Sequence, residues 1–154
     1  MKKHSIFNKL HHICIVVNDM DESVKFYESI GIGPWNDFPS LERFRDKLEV
    51  SNVDDFMQNK YCYTNIGDIQ IQLCQPSLGD TEQRHFLEKN GEGVFHLGFT
   101  VDAVDDAEKQ AHSLGLTNLI RGRLPDHSGF TYFDTSARAG VILQVRAIKP
   151  VANS

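Results

Sequence analysis

One segment of the chain occurs twice. Residues 12–32, HICIVVNDMDESVKFYESIGI, align without a gap on residues 96–116, HLGFTVDAVDDAEKQAHSLGL, at an offset of 84. Six of the 21 positions are identical: His12/His96, Val17/Val101, Asp21/Asp105, Lys25/Lys109, Ser29/Ser113 and Gly31/Gly115. A repeat restricts the fold more than composition does, because each copy must be one supersecondary unit and the copies must bury a common core. Each copy reads as a strand, a turn, a helix and a glycine stop. Ile13, Ile15 and Val17 recur with the period of two of a half-buried strand, as do Leu97, Phe99 and Val101. Met20, Tyr27 and Ile30, and likewise Val104, Ala111 and Leu114, mark the helical faces, with Ser23 and Ala107 as small residues between them. Acidic residues occupy the first turn of each helix, and Gly31 and Gly115 supply the stops.

After each helix the chain returns to strand-like sequence. KYCYT (60–64) and IQIQLCQ (69–75) flank NIGD, a hairpin loop; FTYFD (130–134) and VILQVRAI (141–148) flank TSARAG. A second strand is weakly marked in each half, near residues 33–38 and 119–123. The pattern predicts an α+β fold: two paired βαβββ modules, about 9–76 and about 94–148, forming a curved mixed sheet around a central cleft within one domain spanning 1–154. A short helix at about 80–91, begun by Asp80 or Thr81 and stopped at Gly91, links them. The stretch LERFRDKLEVSNVDDFMQNK (41–60) carries no readable element; its charge suits a solvated surface segment, with a flap over a site as the alternative.

A net charge of −5 and a pI near 5.7 give no electrostatic footprint for nucleic acid or an anionic membrane, so a small-molecule partner is expected. The longest apolar run, Ile13 to Val17, is too short to span a bilayer, and Lys2 and Lys3 are not followed by the apolar stretch of a signal peptide; a cytoplasmic location is expected. Cys14, Cys62 and Cys74 form an odd set without CxxC spacing, which reads as buried reduced thiols.

His12 and His96 open equivalent strands and, by the alternation, point to the face opposite the helices. Gln72 stands opposite Ile71 and Leu73 in the last strand of the first module, and Gln144 opposite Leu143 and Val145 in that of the second. If the modules are related by a pseudo-twofold axis, two imidazole nitrogens and two amide oxygens converge in the cleft, a donor set suited to Zn, Ni, Co or Fe. A histidine or glutamine on a strand more often serves structure or meets water; its repetition at the equivalent position is what singles out this set. His11 falls on the opposite strand face and is expected at the surface. Trp35 and Phe38 suit either a cleft wall or the core.

The stretches LHHICIVVNDMDESVKFYESIGIGPW, IQIQLCQPS, FLEKNGEGVFHLGFTVDAVDDA and GVILQV, in that order, are similar to the vicinal oxygen chelate superfamily, which includes glyoxalase I, extradiol dioxygenases and antibiotic-resistance proteins, and within it to the methylmalonyl-CoA epimerase-like branch. The resemblance covers residues 9–148. It implies metal ligands at His12, Gln72, His96 and Gln144, the same four residues, and a homodimer. It also implies a glutamate where this chain has Gln144, which cannot act as a base. A second acid of the epimerases has only a poor local match here; Asp55 is the candidate by position, with Asp54 and Glu49 as rivals, and each also reads as a solvated loop carboxylate.

Four neutral ligands leave a divalent ion (Ni, Co, Mn, Zn or Fe) its full charge, which suits polarising a carbonyl while an adjacent proton is removed and the enolate is stabilised. The expected activity is therefore that of a metal-dependent epimerase, isomerase or lyase acting on a 2-oxo compound or CoA thioester. A non-catalytic binder of an antibiotic-like small molecule is the alternative, and an Fe(II) ring-cleaving dioxygenase is weaker because no carboxylate joins the donors. Arg121, Arg123 and Arg138 are available for an anionic group, and His127, Tyr132 and Asp134 lie near the second module's loops, although each also reads as structural.

Overall fold

The structure is a computed structural model that describes residues 5–148; Lys2 and Lys3 lie outside them. In chain order the elements of the first half are β1 (Leu10–Val16), α1 (Met20–Ser29), β2 (Asn36–Asp37), a 3-10 helix (Glu42–Lys47), β3 (Leu48–Glu49), α2 (Val53–Met57), β4 (Lys60–Ile66) and β5 (Ile69–Gln75). The connecting helix α3 (Glu82–Asn90) leads to β6 (Gly93–Thr100), α4 (Val104–Ser113), β7 (Asn118–Arg123), β8 (Gly129–Phe133), α5 (Ser136–Ala139) and β9 (Ile142–Ala147). Among the described residues no helix is long and apolar enough to cross a membrane.

All nine strands join one mixed sheet in the order β2-β4-β5-β1-β6-β9-β8-β7-β3. The repeat is visible in the order itself: β1 runs parallel to β5 and β6 parallel to β9, while β1 and β6 meet antiparallel at the centre, where Ile13 stands beside Leu97. The helix ends repeat as well. Gly31 and Gly115 adopt φ values of 95° and 92°, and the amides of Ile32 and Leu116 reach back to the carbonyls of Tyr27 and Ala111 at 2.9 and 3.0 Å. The side chain of Asp19 caps α1 through the Glu22 amide, and that of Thr81 caps α3 through the Arg84 amide.

The outer face of the sheet carries two separate apolar clusters. Val104, Ala107 and Ala111 of α4 pack on Phe133, Val145 and Ala147; Met20, Val24 and Tyr27 of α1 pack with Trp35 on Val17, Cys62 and Leu73. The last apolar position assigned to each helix by periodicity, Ile30 and Leu114, is instead exposed, because it falls at the C-cap beyond the final turn. On the concave face the largest cluster gathers Cys14, Val16, Cys74, Phe95, Ile120 and Tyr132 with Leu87 of α3 and Phe56 of α2. All three cysteines are buried and free, and burial pushes the thiols of Cys62 and Cys74 up to about 11 and 12.

Segment 41–60 departs from the expectation of a solvated surface. Phe44, Leu48 and Phe56 are buried, and Leu48 and Glu49 pair with Gly122 and Arg121 of β7. The chain leaves β2 at one edge of the sheet, supplies β3 at the other edge, and returns to β4 beside β2. This arm spans the open side of the curved sheet, which is why its apolar residues are covered.

Candidate metal and ligand site

The central strands set the candidate donors on two neighbouring rungs. One rung holds Gln70, His12, Gly98 and Gln144; the next holds Gln72, Cys14, His96 and Ile142. Residues two apart on a strand share a face, so His12 and Cys14, Gln70 and Gln72, and His96 and Gly98 all address the concave side. His12, His96, Gln72 and Gln144 are each nearly closed to solvent. The Nε2 atoms of His12 and His96 lie 2.8 Å apart with the rings nearly perpendicular, and the ring of Tyr132 stands edge-on to His96. No side chain blocks this approach from the second strand, because residue 98 is glycine: a Cβ there would collide with the His12 ring.

Both imidazoles are held neutral. Burial lowers His96 to about 3; burial, then the proximity of His96, His11 and Arg146, lowers His12 further still. Gln144 Oε1 and His96 Nδ1 are buried without a hydrogen-bond partner in the structure. The amide nitrogen of Gln72 donates to Gln70 Oε1 at 2.8 Å, so the Gln72 oxygen is not taken up by that bond. Two uncharged imidazoles and an orphaned amide oxygen fit a divalent cation; the 2.8 Å contact of the two Nε2 atoms is bridged by one N–H, which a cation would replace. Among the described residues no three His, Cys, Asp or Glu side chains gather to hold a metal, so such a site depends on the two amides.

The site opens into a cleft of about 340 Å³ lined by His11, His12, Gln70, Gln72 and Gln144, by Phe38, Phe44, Phe56, Tyr61, Tyr63, Phe130 and Tyr132, and by Arg43 and Arg146. Among the described residues no Asp or Glu belongs to this lining. Burial raises the hydroxyl pKa of Tyr61 and Tyr132, which keeps both tyrosines protonated.

Several expectations are corrected here. His11 lies on the cleft side: the pairing of β1 with β6 slips between Leu10 and His12, and this irregularity brings His11 beside His12 with Nδ1 atoms 2.7 Å apart. Asp55 is turned away from the cleft, its carboxylate accepting from the Asp80 amide at 2.7 Å and lying against Gly79. Its rivals are engaged elsewhere too, Asp54 by Arg45 at 2.8 Å and Glu49 by Arg121 at 3.6 Å. Arg121 and Arg123 are tied to α4. Glu108 Oε2 accepts from Arg121 Nε at 2.8 Å and from Thr131 Oγ1 at 2.7 Å, and Arg123 Nε donates to Asp105 at 2.7 Å. His127 also meets Asp105, and Trp35 packs on Tyr27 outside the sheet while Phe38 does reach the cleft. The residues that sequence reasoning missed are His11, Arg146 and the aromatic wall from the 41–60 arm. Arg146 had a readable signal, since it stands two residues after Gln144 and therefore on the same face of β9.

Comparison with known proteins agrees with this architecture. The family model of the Glyoxalase/Bleomycin resistance protein/Dioxygenase superfamily matches residues 11–133. Methylmalonyl-CoA epimerase from Mycobacterium tuberculosis superposes with a TM-score of 0.71 at 20% identity, covering 99% of this chain and 94% of that one. A variant of the Streptomyces coelicolor methylmalonyl-CoA epimerase in complex with 2-nitronate-propionyl-CoA superposes with a TM-score of 0.67 at 24% identity, covering 96% and 99%. The uncharacterized protein YqjC of Bacillus subtilis is 25% identical over 100 residues, a match spanning 64% of this chain and 61% of that protein's length.

Proposed function

Since the chain belongs to the Glyoxalase/Bleomycin resistance protein/Dioxygenase superfamily, we propose that its cleft binds a divalent cation (Ni, Co, Mn, Zn or Fe) at His12, Gln72, His96 and Gln144 and serves a metal-dependent epimerase, isomerase or lyase. The substrate is a small molecule with adjacent oxygens, a 2-oxo compound or an acyl thioester; the similar solved structures include epimerases of methylmalonyl-CoA, one with that thioester bound. The observation that carries the reading is the pair of neutral imidazoles, 2.8 Å apart, beside the unpartnered Gln144 oxygen.

A bound cation supplies a Lewis acid that polarises a carbonyl and favours loss of the neighbouring proton. The chain's own contribution is different. The aromatic wall excludes water from the substrate, and the two amides and two imidazoles leave the site without negative charge. His11 lines the cleft beside His12 and stands outside the donor set. It is neutral at physiological pH, its pKa pushed down to about 4 by burial first and by Arg146 second, and it is a correspondingly weak base.

A second reading, a binder without turnover, draws support from the lining: among the described residues no carboxylate lines the cleft, and Gln144 stands where glyoxalases and epimerases of the family are expected to carry a glutamate. Elemental analysis before and after metal reconstitution tests the first reading, with the His12→Ala/His96→Ala double variant as control. Stoichiometric metal lost in the variant, together with solvent deuterium entering a 2-oxo or thioester substrate, supports the enzyme. Metal without deuterium uptake supports the binder, and no metal under any condition sinks both forms of the metal site.

A further inference from the structure

Resting on the cleft as the ligand site proposed above, we infer that Arg146 is a carboxylate seat: the ligand carries a planar anionic group that docks on this guanidinium while its body lies against the aromatic wall. Arg146 borders the cleft on the same face of β9 as Gln144, yet no described residue engages its guanidinium, and its Nη1 is closed to solvent without a partner. Arg146 is partly buried, and a desolvated guanidinium nitrogen is ordinarily paired, so an unpaired one at a cleft wall marks a missing anion.

Three further observations favour that anion coming from a ligand. First, the protein carries a net charge of −5, yet among the described residues the cleft lining has two arginines and no acid, so no described carboxylate in it competes for the guanidinium. Second, the repeat does not account for Arg146. Gln72 and Gln144 are equivalent, and two residues on from each stand Cys74 and Arg146; the fold is content with a fully buried thiol at the first position. The metal donors follow the twofold and the arginine breaks it, as an unsymmetrical ligand requires. Third, the other lining arginine, Arg43, is exposed and lies over the Phe44 ring at 5.3 Å, which leaves a single inward guanidinium. One planar fork pairs bidentately with one carboxylate.

The test is binding of benzoate and phenylacetate to the metal-free full chain, by calorimetry and NMR, with benzamide and phenylacetamide as uncharged counterparts. The seat predicts that the acids bind in preference to the amides. It also predicts that Arg146→Gln weakens the acids at least about tenfold while leaving the amides unchanged, and that Arg146→Lys falls between. Arg146→Gln should remain folded, with a Tm equal to or above that of the parent, because it removes an unpaired, partly buried charge; the acids should raise the parent's Tm and not the variant's. Equal binding of acids and amides, no acid binding at millimolar concentration, unchanged acid binding by Arg146→Gln, or tighter binding of inorganic phosphate than of the carboxylates would each overturn the assignment. Metal titration of the same samples separates the two proposals: acid binding that follows Arg146 in a protein that takes up no metal leaves the seat standing and removes the metal reading.

Discussion

His12 lies across Gly98 so closely that a Cβ at residue 98 would occupy the space of the imidazole. The two residues face each other on the central antiparallel pair, and the missing side chain of one is the berth of the other. Gly98→Ala should therefore turn the His12 ring away from His96 without disturbing strand pairing. The expected outcome is metal affinity reduced at least about tenfold with an unchanged far-ultraviolet circular dichroism spectrum, since ligand sets tolerate little misplacement. Wild-type affinity in the alanine variant would show that His12 is not a ligand.

The contact between His11 Nδ1 and His12 Nδ1 leads to a second prediction. For His12 Nε2 to accept a cation, its proton must sit on Nδ1, where His11 can take the hydrogen bond; His11 thereby fixes the tautomer of its neighbour. His11→Ala should lower metal affinity by roughly 10–100-fold, in the range typical of outer partners of metal-binding histidines. A competition titration against a chelator measures this, and His11→Gln should recover part of the loss.

Glu108 gathers Arg121, Arg123, Asn118 and Thr131 around one carboxylate oxygen, Oε2. Both Glu108 and Arg123 are buried, so removing the acid leaves Arg123 with Asp105 as its remaining counter-charge and Thr131 without an acceptor. Glu108→Ala should destabilise the fold by about 1–3 kcal/mol in urea unfolding, the usual cost of leaving buried donors unsatisfied. Glu49, also paired with Arg121 but mostly exposed, should cost under about 1 kcal/mol when replaced by alanine.

The same cluster determines how stability responds to acid. Burial alone raises Asp105 and Glu108, but Arg123 and His127 on the first, and Arg121 and Thr131 on the second, hold both below their ordinary values of 3.8 and 4.5. A carboxylate depressed in the folded state contributes stability above its unfolded pKa and loses it as the pH falls through its folded one. Thermal unfolding should thus be insensitive to these groups near neutrality and lose Tm progressively below about pH 4.5, with Glu108→Gln showing a shallower acid limb. An identical acid limb in the variant would remove Glu108 from the account.

The four candidate donors were readable because the duplication states them twice, at His12 and His96 and at Gln72 and Gln144, and the sheet does bring them to adjacent rungs. That same filter hid Arg146, whose counterpart is Cys74. Strict alternation puts His11 on the wrong face because it has no means of signalling a slipped register between Leu10 and His12. Position along the chain points to Asp55, whereas the short helix beginning at Val53 carries it to the Gly79–Asp80 turn. Segment 41–60 resisted reading because its partners are remote. The two residues of β3 acquire meaning only beside Gly122 and Arg121, and Phe44 acquires a partner only at Phe130.

That arm makes the duplicated halves unequal. In strand order the first four strands mirror the next four, so either half might be imagined as a separable unit, yet the ninth position, β3, belongs to the first half and closes the edge of the second. A polypeptide beginning at β6 would present the outer edge of β7 as a row of unpaired amides and carbonyls, an open template for other chains. The first half alone would carry Leu48 and Phe44 with nothing to cover them. The two similar halves are in this way obligate complements, and recombining modules between relatives would have to move the arm together with the edge it seals.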